Sequence, residues 1–223
     1  MKQLYLSRIR LSRHPLGCAL DSMLSLSGNS SRMSFHHHLL WSIFSDGPDR
    51  CRDFLWRTGR KGEFLTLSER EPTQTDLFEP HAVKKFAPVL NQGSQVDFVL
   101  HANATRKKRG GLRVDVVMDG LYNIPKGMRW SKRMEIASRE GRTWLERQGK
   151  AAGFRVVSAE ISDYRTEALQ NRGTRKGQPQ FGILDMMGRI EITDASSFLR
   201  QLARGFGRAK SFGCGLMLIR RVS

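Results

Sequence analysis

The sequence predicts an α+β fold made of two ferredoxin-like units in tandem, each with the order strand, helix, strand, strand, helix, strand (βαββαβ). Two observations support this fold class. Strand-like and helix-like patterns follow one another in this order in the second half of the chain and, less completely, in the first. A run of four cations and two glycines at residues 106–111 also divides the 223-residue chain near its middle. We therefore predict one domain at residues 1–108 and a second at 109–223.

The first half begins with a strand, because apolar residues recur at short spacing from Leu4 to Leu11. A Gly/Ser/Asn-rich stretch at 25–31 predicts a loop, and a helical pattern begins near Met33. The other elements predicted here are a short helix from Pro48 through Trp56, a strand at 59–67, a polar connection at 69–80, and a strand pair at 83–90 and 96–104. The pattern shows no clear second helix, so the first unit is the less complete one.

The second half follows the predicted order more closely. An amphipathic pattern at 131–152 predicts a helix that ends at Gly153, and Asp194 is a suitable N-cap for a helix at 195–202. The strands predicted for this half lie at 112–117, 154–161, 181–192 and 216–219.

The charge balance predicts a polyanionic partner. The formal net charge is +17 and the sequence pI is about 10.7, which is typical of nucleic-acid-binding proteins. Three cysteines without a CxxC pattern argue against a disulfide framework and a structural zinc site, and they favour a reducing, cytoplasmic location. No signal peptide or membrane-spanning segment is recognisable.

A glycine-rich segment near the C-terminus predicts a phosphate-contacting loop. Glycines let a backbone approach another molecule closely, and fixed cations between them add positive charge. The candidate RNA-binding residues of this loop are Gly205, Gly207, Arg208, Lys210, Ser211, Gly213 and Gly215. Cys214 in the same segment is interpreted as a small buried residue.

Two further basic segments are candidate phosphate contacts. One is the run at the predicted domain boundary, which we expect to be solvated and flexible, with Arg106, Lys107, Lys108 and Arg109. The other is a predicted hairpin tip at 171–177, whose cations suit the groove or the phosphates of an A-form stem: Arg172, Arg175 and Lys176.

Three segments give the chain a resemblance to a known family. The sequence GRAKSFGCGLMLI at 207–219 resembles the glycine-rich loop of the repeat-associated RNA-binding superfamily of CRISPR systems, and it is most similar to CasE-type endoribonucleases. Residues 37–44 followed by 52–56, and residues 96–106, agree with the same family.

The resemblance implies tandem ferredoxin-like domains that bind the stem-loop of a CRISPR repeat in precursor CRISPR RNA. It implies metal-independent cleavage on the 3′ side of the stem by the RNA's own 2′-hydroxyl, without a cofactor. It also implies that the enzyme stays bound to the product as a subunit of the type I-E surveillance complex.

Histidines are the candidate general bases, because the pKa of a neutral imidazole lies near working pH. His36, His37 and His38 are consecutive, and on a helix they point about 100° apart, so they cannot converge on one metal ion. His36 and His37 both flank the apolar stripe, so either one can also be a buried structural residue. The resemblance implies that His37 is catalytic, with His36 as the alternative if the alignment slips by one residue.

The same resemblance places Ser34 where family members often have a tyrosine, which leaves that companion role open; Tyr5 and Tyr164 are possible substitutes. Lys210 is the candidate for stabilising charge in the transition state, with Arg208 beside it. Two other hypotheses are a non-catalytic RNA-binding subunit of the same superfamily and a basic ribosome-associated protein. A metal-dependent nuclease is disfavoured, because no Asp, Glu and His residues have ligand-like spacing.

Overall fold

Among the described residues, the fold has two four-stranded antiparallel sheets with helices packed on them and one separate two-stranded ribbon. The computed structural model describes residues 2–14, 29–47, 49–59, 62–168 and 180–222, and the side chains of 29–32 are not among the described features. Both sheets have the strand order that a βαββαβ unit produces, with its first and third strands in the centre. The predicted α+β fold of two ferredoxin-like units is therefore confirmed.

The first sheet has the strand order β2-β3-β1-β4, and the part of this unit that the structure describes contains one helix. Its elements are β1 (Tyr5–Arg10), α1 (Asn29–Trp41), β2 (Phe54–Thr58), β3 (Glu63–Ser68) and β4 (Ala82–Lys85). Ile9, Leu40, Phe44 and Trp56 form its core between α1 and the sheet. Residues 69–81 contain no helix, as the sequence pattern indicated.

The prediction of a short helix from Pro48 through Trp56 is wrong, because the second part of this segment is strand β2. Phe54, Leu55 and Trp56 are all buried. A strand covered on both faces loses the alternation that normally marks a strand in a sequence, which explains the misassignment.

The second sheet has the order β10-β5-β9-β8 and carries the helices of the second unit. Its elements are β5 (Gln95–Ala102), α3 (Arg129–Ala152), β8 (Phe154–Ala168), β9 (Gln180–Ile192), α4 (Ala195–Arg204) and β10 (Met217–Arg221). The predicted helix ends are confirmed. Gly153 ends α3 in the left-handed region with φ 74°, and Asp194 caps α4 by accepting a hydrogen bond from the Ser197 amide at 3.0 Å.

The strand pair predicted at 83–90 and 96–104 is wrong. Strand β4 belongs to the first sheet, whereas β5 pairs with β9 and β10 in the second. The turn near Gly93 resembles a hairpin in sequence, but the Gly93 amide donates to the Ile192 carbonyl at 2.8 Å in the second sheet. The chain thus leaves the first sheet at Lys85 and enters the second sheet at Gln95. This crossing point differs from the domain boundary predicted between residues 108 and 109.

The segment predicted as the strand 112–117 is a strand only at residues 113–115, and it does not belong to the second sheet. Strands β6 (Thr105–Lys107) and β7 (Arg113–Asp115) form a separate two-stranded ribbon, followed by the short helix α2 (Val116–Leu121). The Asp115 carboxylate accepts hydrogen bonds from the amides of Val117 and Met118 at 2.9 and 3.0 Å and so begins α2. The first strand of the second unit is therefore β5.

Apolar and polar contacts join the two units. Leu4, just before β1, and Leu55 and Leu67 of the first sheet pack in the same apolar cluster as the core of the second unit. Beside them, Arg57 Nη2 lies 2.7 Å from Nε2 of His101 on β5. Burial next to Arg57 lowers the pKa of His101 to about 4, so this ring is neutral and accepts the hydrogen bond.

Candidate functional site

The three consecutive histidines have different surroundings. The buried His36 ring lies edge-on to Phe64 with centroids 4.9 Å apart and to Trp56 at 6.1 Å. The half-buried His37 ring stacks near Phe54 at 6.3 Å, whereas His38 is exposed. The surroundings of His36 are those of a core residue, while His37 lies at the edge of the core.

The turn that contains Lys210 lies against the helix that contains His37. Residues Lys210–Phe212 form one 3-10 turn, which packs against α1 and β2. Arg52, just before β2, donates from Nη1 to Oγ of Ser211 at 2.8 Å and so ties the two segments together. The C-terminal loop and the first-unit histidine helix are thereby brought to one place.

The electrostatics of this place favour an uncharged imidazole. Burial lowers the pKa of His37, and the positive charges of Arg52 and His38 lower it further. Its Nε2 atom is buried and has no hydrogen-bond partner among the described residues. Buried polar atoms are usually hydrogen-bonded, so this nitrogen is an exception at the edge of the core.

Lys210 shares this environment. Burial lowers the pKa of its ammonium group, and the cations Arg52 and Arg204 lower it further. Arg52 therefore acts electrostatically on both His37 and Lys210. A cavity of about 260 Å³ beside Lys210 is lined by three cations, Arg52, Arg204 and Lys210, and by two carboxylates, Asp53 and Glu69. Because Asp53 is paired with Arg50 and Arg70 and Glu69 with Lys2, the three cations of the lining still suit a phosphate group.

The glycines of the C-terminal loop allow its backbone to pack closely against the rest of the protein. Gly205 and Gly215 are buried, and their amides donate to the carbonyls of Gln201 and His101. A Cβ at Gly207 would lie 2.6 Å from the Asn103 carbonyl oxygen, and one at Gly213 would lie 3.2 Å from the Trp56 ring. In this structure, Gly205 and Gly215 therefore hold the loop in place and do not present their amides to a ligand, contrary to expectation.

The cations of the loop are more accessible than its glycines. Arg208 is exposed, and Lys210 and Ser211 are half-buried. Cys214 is buried as predicted, and burial raises the pKa of its thiol to about 12, so the group stays protonated.

The basic run at 106–109 is not a free linker. Arg106 donates to Asp119 and to Glu140, and Lys108 pairs with Asp119, which fixes the β6–β7 ribbon onto α2 and α3. Lys107 and Arg109 are exposed. Ion pairs therefore hold two of its four cations, while the flexibility of the segment stays a prediction.

The other candidate residues are the cations of the predicted hairpin tip and the residues considered as companions of the histidine. Arg172, Arg175 and Lys176 lie outside the described residues. Ser34 is exposed on α1, and Tyr164 is buried with its hydroxyl donating to Asp115 at 2.9 Å. Tyr164 thus has a structural partner of its own. Among the described residues, no group of three His, Cys, Asp or Glu side chains is arranged to hold a metal ion.

Two site residues were missed in the sequence. Arg52 lies in a segment predicted as helix, and its partner Ser211 is 159 positions away. Arg204 is at the end of α4, where a basic residue is also expected for helix stability alone. The only usable signal was that Arg52 falls in the 52–56 stretch that agrees with the family.

The comparisons with known proteins agree across nearly the whole chain. The profile of a family described as CRISPR associated protein matches residues 4–221. The CRISPR system Cascade subunit CasE of Escherichia coli is 28% identical over 189 residues, which cover 81% of this chain and 88% of that protein. The CRISPR-associated endoribonuclease Cse3 of Thermus thermophilus is 27% identical over 169 residues, covering 70% and 71%.

The fold is also similar to solved structures. A structure of the CRISPR endoribonuclease Cse3 bound to a 19-nucleotide RNA superposes with a TM-score of 0.71 at 22% identity, covering 98% of this chain and 99% of that one. At this identity the likeness concerns the fold. Within the described residues, no helix is both long and apolar enough to span a membrane.

Proposed function

The chain belongs to the family of CRISPR-associated proteins, and from this premise we infer that it is an endoribonuclease that processes precursor CRISPR RNA. The similarity to CasE and to the endoribonuclease Cse3 supports this activity. The observation that carries the proposal is the meeting of His37, Arg52 and the Lys210–Phe212 turn, which unites a neutral base with cations for a phosphate.

In the proposed reaction, His37 is the general base. Its neutral imidazole takes the proton of the 2′-hydroxyl beside the scissile phosphate, and the 2′-oxygen attacks the phosphorus. The bond to the 5′-oxygen breaks, which leaves a 2′,3′-cyclic phosphate on one product and a 5′-hydroxyl on the other. His36, packed in the core, is the weaker candidate for this role.

Lys210 stabilises the negative charge that develops on the phosphorane. A preformed cation in a partly buried site is effective because no water has to reorganise as charge develops. Its lowered pKa also makes the ammonium a stronger acid, and it donates the proton that turns the departing 5′-oxygen into a hydroxyl. Arg52 and Arg204 hold a phosphate in the adjoining cavity.

The wider RNA surface contains the exposed cations Arg208, Lys107 and Arg109. We assign Arg172, Arg175 and Lys176 to the stem of the repeat hairpin, on their sequence alone. The enzyme then stays with its product as a subunit of a Cascade-type surveillance complex, by analogy with CasE. We propose a cytoplasmic location, which agrees with the free thiols of Cys51 and Cys214.

The test is cleavage of the CRISPR repeat hairpin of the same genome by the purified protein in EDTA. His37→Ala should lower the rate about 10²- to 10⁴-fold while retaining RNA binding, because only the base is lost. A substrate with a 2′-deoxy sugar at the cut should be inert, since it has no attacking hydroxyl. His14→Ala is the control, because this side chain is exposed and is not among the groups that lower the pKa of His37, and it should cut like wild type.

Two outcomes would contradict the proposal. A rate that falls with His36→Phe and not with His37→Ala would transfer the base to His36. Tight binding of the repeat hairpin by wild type without cutting would make the protein a non-catalytic RNA-binding subunit.

A further inference from the structure

The apolar stripe of α3 continues past the protein core. Ala137, Gly141 and Trp144 lie on the buried side of this helix. Trp130 lies two turns before Ala137 and so falls on the same stripe, but its residue surface is 85% exposed. Met134, one turn after Trp130, is 39% exposed. The Trp130 indole is therefore exposed to solvent at the N-terminal end of an apolar stripe whose later residues are packed.

A second exposed ring lies on the connection that leads into α3. Tyr122, which ends α2, is 75% exposed. The Arg129 guanidinium donates to the carbonyls of Tyr122 and Ile124 at 3.0 and 2.9 Å, which holds this connection against the first turn of α3. Single exposed apolar residues are common, but here Arg129, the sequence neighbour of Trp130, bonds the backbone that carries Tyr122, so two exposed aromatic residues flank one connection.

The charges around these rings favour a polyanion over a protein partner. Between residues 126 and 135 the chain has four cations, Lys126, Arg129, Lys132 and Arg133, and one carboxylate. That carboxylate, Glu135, pairs with Lys132 at 2.8 Å. Aromatic faces interleaved with cations are the usual composition of a surface that binds single-stranded nucleic acid.

A chain of contacts connects this surface to the C-terminal loop. The Arg208 amide donates to the Asn103 carbonyl at 3.1 Å, and Asn103 Nδ2 donates to the Gly182 carbonyl at 2.7 Å. Gly182 packs on Tyr164, whose ring lies 4.6 Å from the Arg133 guanidinium on the first turns of α3. The aromatic surface and the loop thus lie at the same end of the second sheet.

We propose that Trp130 and Tyr122 form a stacking site for unpaired nucleobases of the RNA, with Lys126, Lys132 and neighbouring cations on its phosphates. This inference rests on the proposed function, since it takes RNA as the polyanion. The bases of a stem are stacked on one another and are not available, so the site binds the loop or an unpaired flank of the hairpin. Every base has a π face, so the site tolerates any sequence.

The experiment compares two probes by fluorescence anisotropy: the repeat hairpin with its unpaired flank, and the same RNA with abasic nucleotides at all unpaired positions. Trp130→Ala should weaken binding of the intact RNA about tenfold and leave binding of the abasic RNA unchanged. Trp130→Phe should restore most of the affinity, because a ring remains. The salt dependence should be the same for wild type and Trp130→Ala, since no charge is removed, and weaker for Lys132→Ala.

Val89→Ala is the matched control, because this exposed apolar residue is not part of the surface and its loss should change neither affinity. Equal binding of the intact RNA by wild type and Trp130→Ala would overturn the stacking site alone and would leave the surface to a protein partner. An equal loss on both probes would also overturn it. Wild type that neither binds nor cuts the hairpin would overturn the proposed function and this inference with it.

Discussion

At the scale of single residues, the candidate site depends on differences between neighbours. His36 and His37 are adjacent in sequence, but one ring packs on Phe64 in the core and the other lies where Arg52 affects its pKa. Arg52 is also the residue that bonds Ser211 in the C-terminal loop. One arginine therefore positions the loop and adds to the effect of burial, which lowers the pKa of the imidazole.

Arg52→Met should move the pH dependence of cleavage. Burial and Arg52 both lower the pKa of His37, so removing the cation raises this pKa towards its ordinary value. A general base is active when deprotonated, so its activity falls as the pH drops through its pKa. The acidic limb of the pH–rate profile should therefore shift to higher pH in Arg52→Met, in addition to any loss of rate at all pH values.

The control for this shift is Arg50→Met. Arg50 lies on the same segment but pairs with Asp53 at 2.7 Å and is not among the charges that lower the pKa of His37. Its loss should leave the acidic limb in place. An NMR titration of the His37 ring gives the pKa directly, and an unchanged value in Arg52→Met would show that Arg52 does not tune the base.

At the scale of elements, the C-terminal loop is defined by backbone packing. Gly207 has φ 73°, and a Cβ there would lie 2.6 Å from the Asn103 carbonyl oxygen. Neither the backbone angle nor the space suits any other residue. The position of Lys210, three residues later, therefore depends on this close approach of loop and strand end.

Gly207→Ala should both destabilise the protein and slow cleavage. The left-handed angle alone costs about 1–2 kcal/mol for a non-glycine residue, and the close carbonyl forces the loop to shift. Gly110→Ala separates the two effects, because Gly110 has φ 84° and nothing within 4 Å of an added Cβ. The melting temperature and the cleavage rate should both fall more for Gly207→Ala than for Gly110→Ala. Equal losses in the two variants would mean that the close approach of Gly207 to the Asn103 carbonyl is unimportant.

A comparison of the elements shows which parts of the structure can be predicted from the sequence. Helix α3, its glycine end and the Asp194 cap were predicted, because periodicity and capping are local properties. The CasE-type resemblance is likewise confirmed, since it depends on a contiguous loop. The predictions for β2 and for the pairing of β5 were wrong. Burial of β2 on both faces and the choice of the sheet that β5 joins both depend on the rest of the fold. The link from Arg52 to Ser211 is long-range for the same reason.

At the scale of the whole molecule, the candidate site lies where the two units meet. His37 belongs to the first unit and Lys210 to the second, so their relative position depends on the contact between the units. Leu55 is buried in that contact, and a Cβ at Gly205 would lie 2.8 Å from both of its methyl carbons. This leucine therefore supports the beginning of the loop from the first sheet.

Leu55→Ala should reduce cleavage beyond what its loss of stability explains. A buried leucine truncated to alanine costs about 2–5 kcal/mol of unfolding free energy, and here the cavity opens beneath the loop that holds Lys210. Ile192→Ala is the matched control, because Ile192 is fully buried within the second unit, where β9 pairs with Phe154 of β8. The measurement is the cleavage rate well below both melting temperatures, where each variant is folded.

Leu55→Ala should then be the slower enzyme, because only this change loosens the contact that aligns base and cation. Equal rates would mean that the alignment depends on the polar link from Arg52 to Ser211 and not on the apolar contact between the units.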